Sequence, residues 1–334
     1  MATRSGKAKT AILKALHDID GPAGASQIAA RLLSMGFRLQ PRSIRYYLLQ
    51  FDEQGLTRLI SKRRGRQITE RGLEELERAN VLDRIGFIAA RVDALGYRMT
   101  FTNRKGEGQI IANTALIDRT DLASALSVME PVFAGSLGMG TKLAISGPSE
   151  ALGKAAVSEG CAAIHTVCSV TVNGIMLHEG IPVVSRFGGL VEMQAGEPVR
   201  FVEMIEYRGT TVDPLEIFIR AGMTRVKECT EKGSGIIGAS FRDIPSVAID
   251  DVHHIQADMK RYGLGGILAV GIPNQPLLDI PVGEGRAGLV VAGGLNPIAA
   301  VYEAGIETSI RSLTGLRSFQ EFRTIEEVRR HVRV

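Results

Sequence analysis

PRSIRYYLLQFDEQGLTRLISKRRGRQIT, residues 41–69, organises the N-terminal part of this chain. After Pro41 the spacing of Ile44, Tyr47, Leu48 and Phe51 places one apolar stripe on a helix, and Gly55 ends it. Arg42, Ser43, Arg45 and Tyr46 fall on the opposite face of that helix. A strand-like run over 56–60 follows. Then come the turn Ser61-Lys62-Arg63-Arg64-Gly65-Arg66 and a returning Gln67-Ile68-Thr69, so a hairpin tipped with cations is expected. Upstream, Ala11, Ile12, Ala15, Leu16 and Ile19 recur at helical spacing before Gly21-Pro22. A second helix is expected with Ser26 as its N-cap, the face Ile28, Ala29, Leu32 and Leu33, and Gly36 at its end. Three short helices and a basic hairpin make a winged helix-turn-helix. In such a unit the N-terminal half of the third helix enters the major groove and the wing lies on the backbone. The expected DNA contacts are Arg42, Ser43, Arg45, Tyr46, Lys62, Arg63, Arg64 and Arg66.

The charge distribution agrees. Residues 1–80 hold 15 Lys and Arg against 8 Asp and Glu, a net of +7, and the remaining residues hold 25 against 28, a net of −3. Positive charge gathered in one small unit is what phosphate binding requires. With 334 residues and 45% apolar content the chain can bury more than one core, and its 38 glycines and 12 prolines imply many tight turns. A boundary near residue 80 is expected, with a larger mixed α/β domain over 81–330. Neither a signal segment nor a run of eighteen apolar residues is visible, so a cytoplasmic protein without a membrane span is expected. The three cysteines, Cys161, Cys168 and Cys229, have no CxxC spacing and are expected to be reduced thiols. Cys161, His165 and Cys168 carry ligand chemistry but sit in an apolar alternating run, so no metal site is expected. No catalytic motif is visible, which favours binding over catalysis.

From 72 to 95 the pattern predicts one long helix. Beyond it, strands are expected over 109–113, 142–146, 163–172, 181–184 and 200–207, and helices over 120–133, 213–221 and 252–262. DPLEIFIRAGM from Asp213 and NPIAAVYEAGI from Asn296 share a capping residue, a following Pro and a terminal Ala-Gly. That echo predicts a duplicated strand-loop-helix unit and two similar subdomains. Three glycine-containing loops are candidate anion sites, because glycine lets backbone N–H groups approach a carboxylate or phosphate. They are Arg186-Phe187-Gly188-Gly189, Gly233-Ser234-Gly235 leading on to Arg242, and Gly293-Gly294-Leu295-Asn296.

RRGRQITERGLEELER (63–78) followed by DRIGFIAARVDALGYRMTF (83–101) resembles NrpR, a family of nitrogen regulatory repressors. IGASFRDIP (237–245) and GLGGILAVGIPNQPLLDIPVGEGRAGLVVAGGLNPIAAVYEAGI (263–306) extend the resemblance over nearly the whole chain. It implies a repressor of nitrogen-assimilation genes that binds inverted-repeat operator DNA as a homodimer or higher oligomer and is released by 2-oxoglutarate. No cofactor is implied beyond that effector. A dicarboxylate needs cations and N–H donors; Arg186, Gly188, Gly189, Gly233, Ser234, Gly235, Arg242, Gly293, Gly294 and Asn296 are the expected set. The rival readings are a metabolite-converting α/β enzyme fused to a DNA reader, and an RNA-processing accessory.

Overall fold

A computed structural model describes residues 4–19, 21–79, 87–148, 151–152 and 155–331, and divides the chain into two units, Met1–Gly86 and Phe87–Val334. The boundary expected near residue 80 and the middle of the helix expected over 72–95 lie partly outside the described residues. Within them that stretch is two helices, not one.

The N-terminal unit is a winged helix-turn-helix. Helices α1 (Arg4–Asp18), α2 (Ala25–Ser34) and α3 (Pro41–Glu53) bury Ile12, Leu16, Ile28, Leu32, Ile44, Leu48 and Phe51 against one another. The cap of α2 differs from the expected Ser26. Gly24 is the capping residue, and its N–H donates to Gln27 Oε1 at 2.9 Å, because the chain is already extended at Gly24 where the wing meets it. Strands β1 (Thr57–Ser61) and β2 (Gly65–Ile68) form the wing, and α4 (Glu70–Ala79) closes the unit. Gly65 has φ +89°, and a Cβ there would collide with the Ala23 backbone. The approach is needed because Ala23 and Arg66 exchange two backbone hydrogen bonds at 2.8 and 3.0 Å, stitching the wing to the turn before α2.

The larger unit holds two five-stranded sheets. After α5 (Ile88–Arg98) a first half runs β3 (Gln109–Asp118), α6 (Leu122–Ala134), β4 (Lys142–Ser146), β5 (Cys161–Val167), α7 (Val170–His178) and β6 (Val184–Gln194). Strand β7 (Glu197–Glu206) and helices α8 (Pro214–Arg220) and α9 (Val226–Lys232) intervene. A second half then repeats the order: β8 (Gly235–Pro245), α10 (Ile249–Arg261), β9 (Ile267–Val270), β10 (Arg286–Ala292), α11 (Asn296–Glu303) and β11 (Ser309–Ser318). A short strand β12 (Arg323–Thr324) and helix α12 (Ile325–His331) complete the unit. The sheets have the orders β11-β3-β5-β4-β12 and β9-β10-β8-β6-β7, so the last strand of each half pairs in the sheet of the other.

The duplication is therefore real, but the expected echo is misregistered. Helix α11 corresponds to α7, whereas α8, which begins after Asp213, has no counterpart in the repeat. Equivalent hydrogen bonds fix the alignment. Cys168 N–H donates to Ile111 O at 2.8 Å in one half, and Gly293 N–H to Gly238 O at 2.7 Å in the other. Thr171 Oγ1 donates to Ile111 O at 3.3 Å, and Asn296 Nδ2 to Gly238 O at 2.9 Å. The shared Asx-Pro punctuation misleads because it does different work at its two occurrences. Asp213 accepts Leu215 N–H at 2.8 Å as a true cap, while Asn296 lies inside its helix with no capping bond. The Asn296 amide instead ties Gly238 N–H, Gly238 O and Leu137 O at 2.6–2.9 Å. Asn296→Ala takes the side-chain partner from Gly238 N–H and Leu137 O, and should lower unfolding free energy by about 2 kcal/mol in a denaturant titration.

Other boundaries shift as well. The strand expected over 163–172 ends at Val167 and the chain turns into α7, whose faces are nearly all buried, so no amphipathic period marks the change. Two apolar clusters fill the unit. One contains the stacked rings of Phe187 and Phe241, 5.4 Å apart, and the other contains Phe101, Phe319 and Phe322.

Candidate functional site

The basic face of the winged helix comes directly from helical geometry. With Ile44, Leu48 and Phe51 turned inward, Arg42, Ser43, Arg45 and Tyr46 are all exposed on the N-terminal half of α3. Lys62, Arg63 and Arg64 are exposed at the wing tip, where Arg64 N–H donates to Ser61 Oγ at 2.9 Å and shapes the turn. Arg66 differs from this expected set. Its Nε donates to Asp52 Oδ2 at 2.7 Å, and the same carboxylate accepts the Thr57 hydroxyl at 2.6 Å. Arg66 thus braces α3 against the wing through its Nε, with part of its charge offset by Asp52.

The expected effector residues do not all converge. Arg186, Gly188 and Gly189 lie within β6 rather than in a loop. On β8, neighbouring side chains point to opposite faces of the sheet, and Arg242 and Asp243 are such neighbours. Arg186 makes an ion pair with Asp243 at 3.6 Å, donates to Pro281 O at 2.6 Å and stacks over the Phe241 ring. It is occupied on the face away from Arg242, so the two arginines cannot clasp one dicarboxylate. Gly233 is the left-handed cap of α9, Ser234 Oγ accepts Ala195 N–H, and Gly235 pairs with Met193, all near the far end of β8. Gly189 faces Glu203 and Phe201. The remaining glycines are packing positions. A Cβ on Gly188 would meet the Tyr207 hydroxyl and Pro214, and one on Gly294 would meet Val167 O and Asn113.

What does converge is a polar nest around Arg242. Its residue surface is 1% exposed. Nε donates to Asn173 Oδ1 at 2.6 Å and Nη2 to Ser169 O at 3.0 Å, while Nη1 is buried with no hydrogen-bond partner. No carboxylate forms an ion pair with this guanidinium among the described residues. Burial opposes its charge, and it also pushes the nearby Cys168 thiol up to about 12 and raises the Tyr207 phenol well above its ordinary range. Asp213 is half-buried as a residue, but its carboxyl is enclosed and is pushed up to about 6 by that enclosure. A cation held out of water with an idle donor is costly unless an anion meets it. Nothing local in the sequence marks Ser169, Asn173, Tyr207 or Asp213 as site residues; aligning 168–181 with 293–306 would have drawn attention to the first two.

A second buried polar group has a different character. His165 Nδ1 lies 2.9 Å from Thr114 Oγ1 and its Nε2 2.9 Å from Ser146 Oγ, with Arg317 Nη2 donating to Ser146 at 3.1 Å. Thr114 meets Thr314 Oγ1 at 2.8 Å, and Thr314 donates to Ala112 O at 3.0 Å. Only one donor direction satisfies every member: Arg317 to Ser146, Ser146 to Nε2, Nδ1–H to Thr114, Thr114 to Thr314. His165 is therefore neutral, and desolvation with the nearby Arg317 charge pushes its pKa down to about 3. Ser146 and His165 are almost fully enclosed, so this pair fastens strands and is out of reach of a substrate. No cluster of three or more His, Cys, Asp or Glu is poised to hold a metal among the described residues, and no described helix is long and apolar enough to cross a membrane.

Residues 85–324 match the family model for NrpR regulatory domains NRD1 and 2, and residues 10–76 match the ribonuclease R winged-helix domain. The chain belongs to the NrpR family. It is 32% identical to the global nitrogen regulator NrpRI of Methanosarcina mazei, over 94% of this chain and 96% of that one. It is 31% identical to the global nitrogen regulator NrpR of Methanococcus maripaludis over 92% of this chain, and spans 53% of that longer relative. A solved structure of a nitrogen repressor-like protein from Methanococcus jannaschii superimposes with a TM-score of 0.62 at 25% identity, covering 72% of this chain and all of that one. Within the NrpR family, then, this chain pairs one winged helix with one duplicated regulatory unit.

Proposed function

We propose that this NrpR-family chain is a transcriptional repressor of nitrogen-assimilation genes that binds duplex operator DNA as a homodimer through α3 and the wing, and releases it when 2-oxoglutarate binds the larger unit. The nitrogen role is supported by its similarity to two global nitrogen regulators. The DNA role is supported by the exposed cations of α3 and the wing in a winged-helix unit. The effector role rests above all on Arg242, whose buried, half-used guanidinium is suited to a carboxylate. In this reading Arg242 Nη1 is the anion donor, with the Tyr207 hydroxyl beside it. Binding relieves an unpaired buried charge, and it shifts the DNA equilibrium only to the extent that it differs between the bound and released forms.

Arg242→Met is the test. Methionine fills similar volume without charge, so the ligand-free variant should be as stable as the parent or more so. Ten times the dissociation constant of 2-oxoglutarate should stabilise the parent by about 1.4 kcal/mol and the variant by nothing measurable in a thermal-shift experiment. By reciprocity, operator DNA must weaken effector binding by the same factor that effector weakens DNA binding. An Arg242→Met protein that still responds to 2-oxoglutarate would place the effector elsewhere. The Asp213 carboxyl gives a second check. Its pKa near 6 means that lowering the pH below that value removes a negative charge beside Tyr207, so calorimetric affinity for the dicarboxylate should rise between pH 7.5 and pH 5.5.

A further inference from the structure

On α3, Ile44, Leu48 and Phe51 define the buried side, and at 100° per residue the centre of the opposite face carries Arg42, Tyr46 and Leu49. Leu49 is 56% exposed and Tyr46 62% exposed. The Tyr46 ring is set edge-on to Tyr47 at 6.2 Å, and Tyr47 leans on Phe51 at 6.1 Å, so an aromatic chain runs from the core to the surface. We propose that Tyr46 and Leu49 read thymine, by apolar contact with its 5-methyl group in the major groove. The inference rests on the DNA-reading assignment above and goes beyond its charged contacts.

The occupant of this face is duplex DNA because of what surrounds it. Arg42 and Arg45 flank the apolar pair, Arg63 and Arg64 project from the wing, and the whole unit carries a net charge of +7 over residues 1–80. A partner for that surface is polyanionic. Of the groups that a DNA major groove presents, hydrogen-bond donors and acceptors belong to all four bases, but the exposed methyl belongs to thymine alone. Leucine offers no donor or acceptor, so the only base feature it can discriminate is that methyl.

The experiment uses the full chain and a duplex that it enriches from a random-sequence pool. Each thymine of that duplex is replaced in turn by uracil, which removes the methyl and nothing else. The parent should lose about fourfold in affinity at one or two positions per half-site, the worth of one buried methyl group. Leu49→Ala should bind more weakly overall and be indifferent to uracil at one of those positions. Leu49→Met should keep most of the parent's discrimination, and Tyr46→Ala should be indifferent at the other position. If uracil has no effect anywhere, or Leu49→Ala loses as much as the parent at every position, the apolar readout is wrong while DNA binding stands. If no duplex is enriched, the DNA reading falls and this inference with it. Equal loss of affinity for every duplex by Leu49→Ala, with discrimination intact, would assign Leu49 to a protein interface and overturn the proposal.

Discussion

A variant with Arg42, Arg45, Arg63 and Arg64 all replaced by Ala is expected to bind duplex DNA on the order of a thousandfold more weakly than the parent at roughly 0.1 M salt. Removing one phosphate-neutralising cation lowers the slope of log affinity against log salt by about 0.9, so the slope should fall by about 3.6 if all four reach phosphate. The part of the loss due to base readout will show as altered sequence preference without a change of slope. The four side chains are exposed and form no ion pair among the described residues, so the fold should be unaffected. Arg66 is left in place because its ion pair with Asp52 joins α3 to the wing. Arg66→Ala should instead loosen the winged helix, and its effect on DNA should follow thermal stability. Anisotropy titrations across a salt series measure both quantities. A quadruple variant with the parent's slope would remove α3 and the wing from the interface.

The second large effect is a dependence of stability on pH centred on His165. Its folded pKa is about 3 against an ordinary value of 6.5, so between those values the unfolded chain binds a proton that the folded chain refuses. Stability is therefore fully present above about pH 6.5 and falls as pH is lowered toward 3, by about 1.4 kcal/mol per unit from this residue alone. Between pH 7 and pH 4 that amounts to about 3 kcal/mol. His165→Gln breaks the donor chain from Arg317 to Thr314, and should be less stable than the parent at pH 7. Its stability should fall less steeply with acidification, so the two curves approach one another near pH 4. Parallel curves in urea titrations at each pH would mean that His165 carries a proton in the folded state. Because the chain of donors links β4, β5, β3 and the exchanged strand β11, loss of the network should loosen the crossing between the two halves first.

The winged helix is legible in the sequence almost residue by residue, since local signals specify it. Apolar residues at helical spacing choose the buried faces, glycines end the helices, and the basic turn between two short strands declares the wing. The same reasoning misses the ion pair of Arg66, because its partner Asp52 lies fourteen residues away and becomes adjacent only when the wing folds back on α3. The mixed α/β class and a duplication can also be read from pattern. The register of the repeat cannot, because a capping Asx-Pro pair records a local helix start and not a place in a sheet.

Elements whose hydrogen bonds and apolar faces are local follow from residue order alone: the three helices and wing, the gathering of positive charge in the first 80 residues, and the presence of a repeated unit after them. Long-range packing was needed to establish that each half lends its last strand to the sheet of the other, that Arg186 and Arg242 lie on opposite faces, and that Arg242 meets Asn173 and Ser169 beside Tyr207. Those groups come from separate stretches of chain. Desolvation, which sets the cost of the guanidinium and the high pKa of Asp213, depends on what else has been packed around a charge, and no window of neighbouring residues contains that information.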